Sequence, residues 1–139
     1  MSTATQPIAA AQPGRGLNIT LWILQILLGA FFAFAGINKL FNLQPEIAAN
    51  FQKIGLGTWF QYLTGFLELA GGIGLLIPPL TALAALGLAG VMVGAVLTHV
   101  FALPPAYMAV GPLVFIGLFL FIARQRWPAS KAFLQRLKG

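Results

Sequence analysis

Glu68 lies within a run of roughly twenty mostly apolar residues, in a chain whose only other acidic residue is Glu46. A carboxylate at mid-bilayer costs about 2.5–3.5 kcal/mol on insertion scales, so it faces a partner or a cavity. Three chemistries suit it. It can be a neutral acid hydrogen-bonded to another helix, or a carboxylate paired with Lys39 or His99 at the floor of a polar pocket. It can also be a proton-relay or ligand-binding group. Lys39, His99 and Tyr107 fall near one end of their apolar segments, where Asn38, Gln61 and Tyr62 also lie. The ligand-binding or proton-relay candidates are therefore Glu68, His99, Lys39, Asn38, Gln61 and Tyr107. Glycine and polar side chains around them have a plainer use in helix packing, and His99 alone reads as an interfacial residue. No catalytic set is expected. One His and two carboxylates in the whole chain make a metal site within it unexpected.

The elements that position these groups follow from composition. The 139 residues are 59% hydrophobic and 7% charged, with mean hydropathy +0.90. Soluble domains carry about 25% charged residues, so this is the composition of a chain dissolved in lipid. Its backbone must then be satisfied internally, by helices or a closed barrel. The apolar runs lack the alternation of barrel strands. The expected class is all-α: a bundle of four antiparallel transmembrane helices with a short surface helix between spans one and two.

The spans fall at about 18–41, 58–77, 80–103 and 105–123, each near the ~20 residues that cross a ~30 Å core. Pro78 and Pro79 mark the second turn, and Pro104 and Pro105 the third, with Pro105 expected to open span four. These joints are short enough to force antiparallel neighbours. The segment 44–57 reads as the surface helix: Pro45 and Glu46 suit its first turn, Ile47, Phe51 and Ile54 form a stripe, and Gly55 can end it. It lies on the bilayer or lids the bundle.

Within the transmembrane domain, 17–127, helical spacing aligns Gln25, Gly29, Gly36 and Lys39 on span one, with Ala33 beside them. Span two aligns Gln61, Gly65, Glu68 and Gly72. Span three aligns Ala85, Met92 and His99, with Ala89 and Ala95 adjacent and Gly90 and Gly94 as a GxxxG pair. Span four offers Tyr107 and Gly111. On this register Glu68 lies about ten residues into span two, roughly 15 Å deep.

Residues 1–16 are expected to form a disordered tail, and 128–139 a basic amphipathic tail at the membrane surface. Ala33-Phe34-Ala35 resembles a signal-peptidase site, but the basic flank is nearly absent and the apolar run continues to Phe41, so no cleavage is expected. The net charge of +6 comes mostly from Arg124, Arg126, Lys131, Arg136 and Lys138. Clustered there, it suits an anionic leaflet rather than nucleic acid. With Arg15 these make six cations on one side, against Lys39 and Lys53 on the other, so both termini are expected on the cytoplasmic side of the cell (inner) membrane. Trp22 and Trp127 then belong to the inner aromatic belt and Trp59 to the outer one.

No charge ring or glycine-rich filter suggests a channel. The absence of cysteine removes disulfides and Cys-ligated clusters.

Three ordered blocks resemble the DoxX-like family of small four-span membrane proteins. Gly36-Ile37-Asn38-Lys39-Leu40 closes span one, and Tyr62-Leu63-Thr64-Gly65-Phe66-Leu67-Glu68-Leu69-Ala70-Gly71-Gly72-Ile73-Gly74-Leu75-Leu76 fills span two. Ala84-Ala85-Leu86-Gly87-Leu88 through Met92-Val93-Gly94-Ala95-Val96-Leu97-Thr98-His99 fills span three. The resemblance covers about 21–123 and marks Lys39, Glu68 and His99 as the polar points of the motifs. It implies association with membrane redox processes, since some relatives accompany a thiosulfate:quinone oxidoreductase or oxidative-stress complexes. Distant relatives resemble assembly chaperones and cargo receptors.

Two main expectations follow. The chain is an accessory subunit or a binder of an apolar, quinone-like ligand whose head is oriented by Lys39, Glu68 and His99. It has no intrinsic cofactor, is not a stand-alone enzyme, and works with a membrane redox partner protein. Alternatively it is a scaffold or assembly chaperone in which a Glu–His–Lys cluster only locks the bundle. A proton-coupled small-molecule carrier is the weaker third reading. The lipid bilayer is the expected surrounding partner, and a homodimer fits the GxxxG face.

Overall fold

The computed structural model describes residues 14–138, and these are all-α, with no strand among them. Helix α1 spans Arg15–Phe41, α2 Pro45–Ile54, α3 Thr58–Gly74, α4 Thr81–Phe101 and α5 Val110–Lys138. Short 3₁₀ turns at Pro78–Leu80 and Ala106–Ala109 precede α4 and α5. Helices α1, α4 and α5, the last two with their leading turns, are long and apolar enough to cross a membrane. Helix α3 has 17 residues and stops at Gly74, short of the expected Ile77. Most of the expected 1–16 tail lies outside the described residues. The helix has already begun by Arg15, with Leu17 and Leu24 packed on the core.

The junctions follow local chemistry. Asn42, in the left-handed region at φ 51°, stops α1 with its N–H on the Asn38 carbonyl. Pro45 sits in the first turn of α2, and Gly55 ends it at φ 83°, a conformation glycine adopts without strain. The fourth apolar segment departs from expectation at both ends. Pro105 is extended (φ −85°, ψ 150°), so the α-helix starts at Val110 rather than Pro105. It then runs unbroken through Pro128 to Lys138, so no separate tail begins at 128. Proline removes one hydrogen bond and crowds the preceding turn. Packing outweighs that cost here: Ser130 is fully buried just beyond, Phe133 and Leu134 are half-buried, and α5 packs on the Pro78–Leu80 turn.

Helix α3 lies antiparallel to α1. A Cβ added at Gly36 would come within 2.5 Å of the Gly65 carbonyl oxygen, and one at Gly72 within 2.6 Å of that of Gly29. Lipid is as apolar as leucine, so such close backbone contact, not water exclusion, joins helices in a bilayer. In the bundle core Phe32 meets Phe115 and Phe119 edge-on, with ring centroids 5.2 and 5.3 Å apart. Leu21, Leu75, Ala82, Ala85, Leu88 and Ile122 complete that core.

Candidate functional site

The carboxyl end of α1, the amino-terminal half of α3, the carboxyl half of α4 and helix α2 enclose a cavity of about 550 Å³. Lys39 arrives on the last turn of α1, Glu68 from the middle of α3, and His99 on the last turn of α4. The Lys39 Nζ lies 2.7 Å from Glu68 Oε1, with side chains 18% and 6% exposed. This is a close ion pair, yet Oε1 accepts no aligned hydrogen bond among the described residues. Of the two partners expected for Glu68, Lys39 is the one that pairs with it. His99 Nδ1 instead lies 3.3 Å from the Leu103 carbonyl oxygen. That acceptor places a ring proton on Nδ1, so that in the neutral imidazole Nε2 is the accepting nitrogen.

The rest of the lining is mostly apolar. The stripe Ile47, Phe51 and Ile54 of α2 forms one wall, with Asn50 on the same helix. Phe60, Leu63, Thr64 and Leu67 belong to α3, and Gly87, Gly90, Val91, Met92, Gly94, Ala95 and Thr98 to α4. The hydroxyls of Thr64 and Thr98 each donate to the carbonyl four residues back, on Phe60 and Gly94, both at 2.8 Å. They keep lone pairs for another donor. An apolar cavity of this size with a few convergent polar groups has the make-up of a small-molecule site.

The other sequence candidates lie elsewhere. Asn38 is buried at 7% exposure but does not line the cavity. Gln61 is structural: its amide donates to the Lys39 carbonyl at 2.8 Å and to Asn42 Oδ1. It lines a second, smaller cavity of about 340 Å³ beneath α2. Tyr107, 72% exposed in the turn before α5, is not part of either cavity. Sequence reasoning passed over Asn50, Thr64 and Thr98. Their spacing of three or four residues from Ile47 and Ile54, from Glu68, and from Gly94 and Ala95 was the available signal.

A second polar cluster ties the opposite end. Gln25 donates to the Leu75 carbonyl at 2.8 Å and accepts from Arg126 Nε at 2.7 Å. Arg126 also donates to Asn18 Oδ1 at 2.8 Å and sits over the Trp22 ring, 5.7 Å from its centroid. Thr81 donates to the same Leu75 carbonyl at 3.0 Å. These bonds join α1, α5 and the α3–α4 turn.

A family model described as the DoxX-like family matches residues 23–122, which holds every span-borne residue of the cavity. Comparison with curated proteins finds no match, and comparison with solved structures finds none. The match covers well over half of the chain, and with its long apolar helices this protein is a membrane protein belonging to the DoxX-like family.

Proposed function

We propose that this chain crosses the cell membrane four times, with both termini cytoplasmic, and holds a lipid-soluble, quinone-like molecule as an accessory to a membrane redox protein. The fourth crossing is α3. It runs beside α1 from Gln61, bonded to the Lys39 carbonyl, to Leu75, whose carbonyl accepts from Gln25. The rise from one to the other is about 21 Å at 1.5 Å per residue, so α3 accompanies a membrane-length helix for most of the hydrocarbon thickness. Helix α2, with no buried residue, then lies at the outer interface over the cavity.

The observation that carries the ligand reading is an ion pair lining an apolar cavity. Lys39 donates, Glu68 Oε1 retains accepting capacity, and His99 Nε2 accepts. Such a set orients a head bearing both carbonyl and hydroxyl groups, and Glu68 can take or give its proton. A competing scaffold reading draws on the position of the pair one turn from the Gly36–Gly65 contact, where it also clamps α1 to α3.

Native mass spectrometry of the gently extracted protein separates the two, with wild type beside Glu68→Gln. The expected result is a bound small molecule in the wild type, lost in a variant that remains folded. An empty wild type, or equal retention in both, overturns the ligand reading; a mutation that only lowers melting temperature supports the scaffold.

A further inference from the structure

Helices α3 and α4 touch at one end of their shared length and part at the other. A Cβ at Gly74 would lie 2.9 Å from Ala84 Cβ, and one at Gly71 would lie 2.6 Å from Leu88 Cγ. Further along, Gly87, Gly90 and Gly94 have nothing within 4 Å of the Cβ position. Spaced by three and four residues, they share one face of α4, and that face lines the cavity. Glycine is a poor helix former. At Gly29, Gly36, Gly65 and Gly72 it is explained by close helix contact. At Gly90 and Gly94 no contact among the described residues explains it. Among the described residues the GxxxG pair makes no close helix contact and forms a bare backbone wall.

Opposite that wall stand Leu63 and Leu67, each 43% exposed. The deep side is closed by Glu68 and Met92, at 4% and 6% exposure. Glu68 Oε1 is buried there against Lys39 Nζ, with no aligned hydrogen bond among the described residues. The cavity is therefore a slot with one flat wall, one aliphatic wall and a polar floor, and it lies where α3 and α4 part. Lys39 and Glu68 cancel in charge, so the floor suits an uncharged head.

Resting on the proposed function, we infer that the slot selects an uncharged amphiphile with a flat ring as its head, which slides in sideways from the bilayer between α3 and α4. Gly90 and Gly94 determine this specificity, because any side chain there projects into the space the ring occupies.

The test uses the full chain in lipid nanodiscs, read by native mass spectrometry. Its probes are a decyl-substituted benzoquinone and decyl alcohol, which has the same tail without the ring. Gly90→Leu and Gly94→Leu are compared with wild type and with Gly117→Leu. Gly117 also has open space at its Cβ position but lies on α5, away from the cavity. The expected result is loss of ring-probe binding by about tenfold or more in the Gly90 and Gly94 variants. Alcohol binding, Gly117→Leu and all melting temperatures stay near wild type. Equal binding of the two probes by wild type, or undiminished ring binding in both slot variants, overturns the inference while leaving a ligand site in place. Binding of neither probe by wild type overturns the proposed benzoquinone-like ligand itself, and the inference with it.

Discussion

At the residue scale the structure turns on one ion pair placed where ions are costly. Glu68 is the more deeply held partner, while Lys39 lies on the last turn of α1 and keeps 18% of its side chain exposed. The two are therefore not equivalent. With Glu68 removed, the long lysine side chain can turn towards the interface and recover its hydration. With Lys39 removed, the carboxyl cannot reach the interface and must stay buried as an ion or take up a proton. Breaking a buried pair from one side typically costs about 3–5 kcal/mol, whereas replacing both partners by apolar groups is often neutral. Lys39→Met is accordingly expected to destabilise by about 3 kcal/mol and Glu68→Leu by less, with the double variant regaining most of the loss. Unfolding in mixed micelles by graded SDS measures all three. Additive losses in the double variant would show that the pair is not coupled. The anomaly of Glu68 was legible from its type and depth alone. Its partner was not, since Lys39 and His99 both stood near the same end of their spans, and His99 instead meets the Leu103 carbonyl four residues along its own segment.

At the element scale, glycines of like appearance do opposite work. The faces read from periodicity as Gly29 and Gly36 on one helix and Gly65 and Gly72 on the next are the seam between α1 and α3. The glycines of α4 look no different in sequence, yet they face open space. Gly36→Ala and Gly72→Ala drive a methyl group into backbone atoms of the facing helix, and overpacking of that sort costs about 1–3 kcal/mol. Gly90→Ala meets nothing and gains helix propensity, so its stability is expected to equal or exceed wild type by up to about 1 kcal/mol. Thermal unfolding in a mild detergent, followed by circular dichroism, reads these differences. A loss at Gly90 as large as at Gly36 would mean that α4 packs against something unaccounted for. The continuation of α5 through Pro128 belongs to this scale too. The sequence suggested a separate surface tail from 128, but half-buried Phe133 and Leu134 pack the following turns as part of α5.

At the scale of the whole molecule, polar groups concentrate at two ends of an apolar body. Lys39, Glu68 and His99 lie at the end with α2; Gln25, Thr81, Asn18 and Arg126 lie at the other, where the basic part of α5 emerges. The proposed orientation puts the first end outside. The chain has no cysteine, so single cysteines report sidedness cleanly. Gln52→Cys on α2 is expected to react with an impermeant maleimide in intact cells, and Arg136→Cys on α5 only after permeabilisation. The reverse pattern would invert the orientation, and labelling of both in intact cells would break the even number of crossings. By itself the sequence determined the helical class, the approximate apolar segments, the glycine faces of the first two spans and the singular position of Glu68. Hydropathy and a 3.6-residue period are local properties that any stretch of chain carries alone. Only the tertiary structure decided that Lys39 pairs with Glu68, that Gln25 meets Arg126 across 101 residues, and that Gly90 and Gly94 border a slot. Those outcomes depend on how far neighbouring helices rotate and splay, which is settled by packing between segments distant in the chain and is written in no single one of them.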